Sequence, residues 1–501
     1  MNKKDHKILA QDKRKLQKRL GPKAWADQAE PMFQAANLHY RMSERSRVLG
    51  CGGMGAIHRL VTCLGLDQAL NENLSLLKVH VPYFESDHVL NIAYNVVTGG
   101  TCLEDIDRLR DDDHYTRSLA AERIPDPTTA GDFLRRLSAT DIEKLQDTFN
   151  QARQKVWRRK PARFRRKAIL DVDGTHAATT GECKAGMDIS YKGIWGYAPL
   201  VISLANSKEP LYLVNRPGNA TSSSEAAPWI DRAIDLVGEV FAEVWLRGDT
   251  DFSLTQHLDR WNSRVRFVLG YNAYASLIER AEQLPARAWR PLERPAPYSV
   301  LTEPRQRPDN IKQQIIRARE YKNIRLESEQ VAEFDYRPTH CQHTYRMVVV
   351  RKNLSIEKGD HRLFDEIRYF FYITNDRSMT STEVVLFANQ RCDQENVIEQ
   401  LKNGVNALRM PTEDLLSNWA YMVIAALAWS LKSWYGLLVP NPATGQAIVR
   451  MEFKHFLRRF ILIPCQVVHT GRRLILRVLT YTRHLETFFK TFDRLKRLRF
   501  A

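Results

Sequence analysis

The run Ala168-Ile169-Leu170-Asp171-Val172-Asp173-Gly174-Thr175 constrains this chain more than any other stretch. Its apolar residues read as a short buried β-strand, and the glycine marks where that strand stops. Side chains alternate along a strand, so Asp171 and Asp173 point to the same side. Carboxylates at a buried strand end are costly unless a cation or hydrogen bonds receive them. Taken alone, such a run is equally a capped strand with a solvated turn. The pattern recurs, however. Val244-Trp245-Leu246-Arg247-Gly248 leads into Asp249-Thr250-Asp251-Phe252, a second apolar strand ending in D-x-D.

The chain has 501 residues, enough for a large core and two or three domains. It carries 75 Lys and Arg against 58 Asp and Glu, a net charge of +17. A surplus of that size points to a polyanionic partner, nucleic acid before membrane, although a merely basic enzyme also fits. The seven cysteines are scattered, with no C-x-x-C and no partnered histidine spacing. That argues against a zinc knuckle or disulfide framework and for a reducing compartment. Met1 to Lys7 contains no apolar signal region, and the run Ala420 to Trp429 falls short of the roughly 20 residues needed to span a bilayer. The expectation is a soluble cytoplasmic protein whose longest apolar run is a core helix.

Residues 1–44 form a basic arm (Lys3, Lys4, Lys7, Lys13, Arg14, Lys15), either solvated or a helix that meets phosphates. Gly50-Cys51-Gly52-Gly53-Met54-Gly55 matches G-x-G-x-x-G, but Arg41 to Arg47 cannot be the buried strand a dinucleotide site requires. It reads as a loop entering a helix over Ala56 to Leu64. Residues 45–160 read as a helical, DNA-binding domain, with a capping box at Thr101-x-x-Glu104. The cationic segment Trp157 to Lys167 is either a surface linker or a holder of phosphates beside the acidic strand end. Residues 161–284 alternate strands and helices, which indicates an α/β core. In it, Gly186 to Tyr191, Pro199 to Ala205 and Leu211 to Val214 read as a meander, followed by a helix over Ser222 to Val240.

Residues 285–386 read as a β-rich insertion, rich in Pro and Arg from Arg287 to Arg307, with strands at Tyr345 to Arg351 and Ile367 to Thr374 and a turn at Lys358-Gly359-Asp360. In residues 387–440, Arg391, Glu395 and Lys402 fall on one face of a helix and an apolar helix follows over Leu415 to Leu438. Residues 441–501 read as basic amphipathic helices with interleaved phenylalanines.

Two acidic strand ends and a late glutamate among cations suit a hard divalent ion, which takes oxygen ligands and keeps waters for substrate phosphates. Two such ions activate the attacking water and stabilise the leaving oxygen in phosphodiester cleavage. Asp173-Gly174-Thr175, Arg247-Gly248-Asp249-Thr250-Asp251-Phe252 and Arg391-x3-Glu395-x6-Lys402 resemble the DDE motifs of bacterial insertion-sequence transposases. The resemblance is closest to the IS four-like group and, within it, the thirteen-eighty family. It extends to Gly99-Gly100, Gly196-Tyr197-Ala198-Pro199-Leu200, Arg216-Pro217-Gly218-Asn219 and Gly471-Arg472-Arg473-Leu474. One departure is Ala388, which stands where the related group has a tyrosine three residues before the arginine.

The resemblance implies an RNase H-like fold interrupted by the β-rich insertion, preceded by an all-α N-terminal domain and followed by basic C-terminal helices. It implies Asp173, Asp249 and Glu395 as catalytic metal ligands for two Mg²⁺ or Mn²⁺ ions, with Asp171, Asp251 and Glu399 as secondary candidates. It implies Arg391 and Lys402 at DNA phosphates, and a homodimer that joins two inverted-repeat ends. A water cuts the strand at the element's end, and the freed 3′-hydroxyl then attacks target DNA. Two alternatives stay open: an RNase H-like nuclease without strand transfer, and a non-catalytic DNA-binding protein derived from a transposase.

Overall fold

The computed structural model describes residues 3–21, 38–40, 47–80, 82–181, 183–294, 314–315, 319, 322–358, 361–470 and 473–500. The Arg41 to Ser46 stretch, much of the Pro- and Arg-rich segment and the turn residues Gly359 and Asp360 lie outside the described residues.

The chain is a mixed α/β protein built on one large mixed sheet. Its strands, in chain order, are β1 (Val48–Leu49), β2 (Lys167–Gly174), β3 (Ala177–Ala178), β4 (Asp188–Ile189), β5 (Trp195–Tyr197), β6 (Leu200–Leu204), β7 (Glu209–Val214), β8 (Glu243–Gly248), β9 (Arg266–Tyr271), β10 (Arg290–Pro291), β11 (Lys322–Tyr336), β12 (Tyr345–Lys358), β13 (His361–Thr374), β14 (Cys465–Thr470) and β15 (Arg473–Val478). Nine of them form the main sheet in the order β10-β11-β12-β13-β9-β8-β2-β6-β7. The apolar run beginning at Ala168 is β2, hydrogen-bonded on both sides. It pairs parallel with β8, which pairs parallel with β9, while β6 lies antiparallel on its other flank. The helices Ala226–Gly238 and Thr255–Asn262 make the connections into β8 and β9.

The β-rich segment is not a separate sheet. Its long strands β11, β12 and β13 continue the main sheet because the C-terminal end of β13 pairs with β9 through Phe371↔Tyr271 to Thr374↔Val268. Of these strands β11 is not legible in the sequence, since its alternation is obscured by charged residues on exposed positions.

The helix Leu415–Leu438 is the buried axis of the molecule, apolar on every face, with Lys432 drawn in through hydrogen bonding to the Val449 carbonyl. A helix buried all round has neighbours on all sides, and here they include Glu85–Val97, Ala139–Arg158 and Pro442–Arg450. Among the described residues no helix is long and apolar enough to cross a membrane. A buried ion pair clamps this layer to the sheet. Glu209 of β7 accepts from Arg153 Nε at 2.8 Å, Trp157 Nε1 at 3.1 Å and Trp434 Nε1 at 2.5 Å.

Four expectations are corrected. The C-terminal segment is not helical throughout, because β14 and β15 form a hairpin there. Alternation in Arg473-Leu474-Ile475-Leu476-Arg477-Val478 is a strand pattern, and β1 from the helical N-terminal region completes this sheet. The strand expected over Gly186 to Tyr191 shrinks to the two residues of β4, in a small sheet of order β3-β5-β4. The box at Thr101 is closed by Asp105 rather than Glu104, since Asp105 Oδ2 accepts from the backbone N–H of Thr101 at 2.6 Å and Cys102 at 3.2 Å. Finally, the cationic segment precedes the start of β2, whereas Asp173 lies near its end. At about 3.3 Å per residue the strand holds them roughly 20 Å apart, and Lys160 is spent on the Leu437 carbonyl at 2.7 Å.

Candidate active site

β2 and β8 run side by side and end together, so the parallel pairing alone brings Asp173 and Asp249 to the same edge of the sheet. Open sheets place their sites at the carboxyl ends of parallel strands, where the chain turns away on either side. Asp249 follows β8 and caps a short 3₁₀ turn, Thr250–Phe252, by accepting from the Asp251 N–H at 3.0 Å. Gly270 permits this close loop: a Cβ there would lie 2.9 Å from Thr250 N and 3.0 Å from the Asp249 carbonyl carbon.

The helix Cys392–Glu399 delivers the cation. Arg391, at its N-cap, donates from Nη1 to Asp173 Oδ2 at 2.7 Å. Burial pushes the Asp173 carboxyl up to about 6, with Arg391 pulling the other way and Asp249 adding to the rise. Burial also raises Asp249, against the pull of Arg391. After burial, a nearby like charge adds to the rise in each case, Asp249 at Asp173 and Asp251 at Asp249. Lys402 is lowered by burial, opposed by Glu399 and Asp173.

A cavity of about 340 Å³ opens at this edge. Asp173, Asp249 and Asp251 lie on it together with Lys402, so four of the residues singled out by sequence share one space. Arg391 joins them through its ion pair. A second cavity of about 360 Å³ adjoins on the far side of Asp249 and Arg391 and is lined by Tyr271, Tyr369, Phe371 and Tyr372. Ala388 borders it.

The structure separates the other candidates. Asp171 is enclosed in a bidentate pair with Arg247, at 2.6 and 2.9 Å, and Arg247 also donates to the Phe387 carbonyl at 3.0 Å. Both partners are almost fully buried, so Asp171 offers no free oxygen to the cavity. Glu399 lies on a different cavity, with Lys208, Asp393 and Trp429, and accepts from Asn403 Nδ2 at 2.7 Å. Glu395 is exposed, one turn on from Arg391, and among the described residues no three acidic, histidine or cysteine side chains are grouped to hold an ion. The donor set that is grouped, Asp173 with Asp249, still fits a hard divalent ion, which binds through one or two carboxylates plus substrate phosphate and water.

Sequence reasoning missed His176, Tyr191, Lys192 and Ser222 on the cavity wall, and gave Arg216 no role at the site. They come from the turn after β2, the β4–β5 hairpin and the turn after β7, which no local pattern connects.

The family model for "Transposase DDE domain group 1" matches residues 46–500. No curated protein matches the chain. Among solved structures it is similar to the piggyBac transposase in a cryo-EM synaptic complex with hairpin DNA, at 12% identity and a TM-score of 0.33, over 83% of this chain and 86% of that one. A likeness that slight carries no weight; the family match does, because it spans nearly the whole sequence and both acidic strand ends. This chain belongs to the DDE transposases of group 1, enzymes that cut DNA and transfer its strands.

Proposed function

We propose that this transposase cuts at the terminal inverted repeats of a bacterial insertion sequence and joins the freed 3′-hydroxyls to target DNA. The reading includes an RNase H-like core, a homodimer spanning the two ends in the bacterial cytoplasm, and membership of the thirteen-eighty family in the IS four-like group. The observation that carries it is the cavity at the ends of β2 and β8, where Asp173 and Asp249 face Lys402 and Arg391 closes the edge. Acids that hold a cation and cations that hold phosphate, on one rigid sheet edge, are the parts that phosphodiester chemistry needs.

Asp173 and Asp249 would hold the divalent ions used in this family, and Glu395 would be the third ligand. Bound there, Mg²⁺ or Mn²⁺ supplies charge stabilisation for the attacking and leaving oxygens. The assignment of Glu395 is supported by its helix. Arg391, one turn earlier, touches Asp173, and Lys402, seven residues later, lines the cavity. Glu395 lies between them in the chain, on the helix whose N-cap is Arg391. Arg391 and Lys402 would hold phosphates of the cut strand, and Arg391 keeps Asp173 oriented meanwhile.

The test is cleavage of labelled DNA bearing the element's own ends, in Mg²⁺ or EDTA, by wild type, Asp249→Asn and Glu395→Gln. Nicking at the ends that needs Mg²⁺ and disappears in both variants is the expected result. End-binding by wild type without nicking in Mg²⁺ or Mn²⁺ would overturn the cutting step. Nicking without any joined product would leave a nuclease.

A further inference from the structure

We infer that the wall of the cavity facing the aspartates is a built phosphate subsite, formed by Arg216, Lys192 and His176, which grips a phosphodiester beside the one being cut. The inference rests on the reading of this cavity as the active site.

Arg216 is the centre of the subsite. It lies just after β7, is 3% exposed, and lines the cavity. Its Nε donates to the Ala198 carbonyl at 2.9 Å and its Nη1 to the carbonyls of Ser222 at 3.0 Å and Ser224 at 2.6 Å. Those bonds fix the guanidinium, but they are all to neutral oxygens. Nη2 is buried with no hydrogen-bond partner, and Glu225 is the carboxylate that acts on this side chain electrostatically, without a hydrogen bond to it. A buried guanidinium with an unused N–H edge and no hydrogen-bonded carboxylate is costly unless an anion completes it. The planar fork suits phosphate oxygens.

Its cavity neighbours are the cations Lys192 and Lys402 and the imidazole of His176. His176 Nδ1 is also buried without a partner. Burial first, and then Lys192, Lys402 and Arg216, disfavour the charged form of His176. Lys192 in turn acts on Lys402. Like charges are gathered here at a cost that a polyanion relieves.

The β4–β5 hairpin holds Lys192 in place. Ser190 N–H donates to the Ile194 carbonyl at 2.8 Å, Gly193 N–H to the Ser190 carbonyl at 2.8 Å, and Ile194 N–H to Ser190 Oγ at 3.0 Å. Gly193 adopts φ +73°, which glycine takes without strain. Tyr191 beside it is 82% exposed, its ring 5.2 Å from Lys192 Nζ and 5.9 Å from the His176 ring. The finger therefore brings both a cation and an exposed aromatic ring to the cavity. A strand threaded past the aspartates meets these cations in the same cavity.

The experiment measures binding of a labelled duplex bearing the element's end, over a series of salt concentrations, with single-turnover cleavage in parallel. Lys192→Ala is expected to flatten the plot of log affinity against log salt by about 0.9, the value for one lost phosphate, and to weaken binding roughly fivefold near physiological salt. Lys192→Arg restores both, and Arg216→Lys, which gives up its bonds to three carbonyls, weakens binding when compared at matched folded fraction. Wild-type slope and affinity in Lys192→Ala and Arg216→Lys would overturn the subsite. Asp173→Asn on the same DNA separates the two failures. If it cuts as wild type does, the cavity is not the active site; if it binds but does not cut, the binding result decides the subsite by itself.

Discussion

Arg391 Nη1 lies 2.7 Å from Asp173 Oδ2, a contact between residues 218 apart in the chain that ties the helix after the insertion to the end of the central strand. Both side chains are mostly buried, and Arg391 is the only guanidinium paired with Asp173 among the described residues. Arg391→Ala leaves Asp173 without its hydrogen-bonded cation, with Lys402 the remaining cation on the cavity. Loss of this charged hydrogen bond is expected to cost about 1.5–3 kcal/mol, read as a lowered denaturation midpoint. Arg391→Lys keeps the charge but not the fork, and falls between.

Asp171 and Asp173 sit two residues apart on one strand and do different work. Asp171 is locked to Arg247, directly across the parallel pairing of β2 and β8, in a pair with almost no exposed surface. Truncating one member of a buried pair strands the other, at about 3–5 kcal/mol. Asp171→Ala is therefore expected to lower stability by that order, read by urea denaturation. Asp171→Asn keeps volume and some hydrogen bonding, and it still nicks DNA whereas Asp173→Asn does not. Equal loss of nicking at matched folded fraction would count against this division.

The contrast shows what the sequence could reveal. β2 and β8 were legible because each is a local apolar run, and the aspartates at their ends follow from strand alternation. The fate of Asp171 was not, because it depends on a register between strands more than 70 residues apart. The cationic wall was hidden for the same reason, with Lys192 on a two-residue strand's turn and Arg216 after β7. The C-terminal hairpin was missed because its arginines read as a helix face until β1 pairs with it.

Glu209 anchors the edge strand β7 to the helices beside it. It receives Arg153 and two tryptophan N–H groups with no exposure of its own. Glu209→Ala orphans a buried guanidinium and both indoles, and a loss of about 3–5 kcal/mol is expected from the arginine alone. Glu209→Gln keeps the acceptor but removes the charge, and is expected to be milder. Thermal melts of both, with DNA nicking of the surviving folded protein unchanged, check that this residue serves the fold.

Asp259 gives the acid dependence a named source. Its carboxylate takes Tyr345 Oη at 2.6 Å and the Gln342 N–H at 2.5 Å, joining the helix Thr255–Asn262 to the loop before β12. Burial alone would raise it, but these bonds and those from His343 outweigh burial and hold it down at about 2, below the ordinary 3.8. A depressed carboxyl contributes stability that is fully present above its unfolded value and is lost as pH falls through the folded one. Wild type is thus expected to lose stability between about pH 4 and pH 2 relative to Asp259→Asn. The gap between their melting temperatures should be constant above that window and close within it. A gap that does not change with pH would remove Asp259 as the source.

Glu395 is the hardest test of the site, because it is exposed and stands apart from any grouped set of acids. Its helix passes into a π-turn at Gln400–Gly404, which shifts the register between Glu395 and Lys402. Single π-turns inside helices are frequent at functional sites. Gln400 on that turn accepts from the Phe453 N–H at 2.9 Å, so the turn is anchored rather than loose. Glu395→Gln preserves size and helix propensity, and its own stability change is expected to stay within about 0.5 kcal/mol, as for other exposed positions. Nicking is expected to fall by at least a hundredfold if the carboxylate binds metal, with end-binding in EDTA unchanged. Normal nicking by Glu395→Gln would remove it from the catalytic set and leave Asp173 and Asp249 as the ligands that the fold itself brings together.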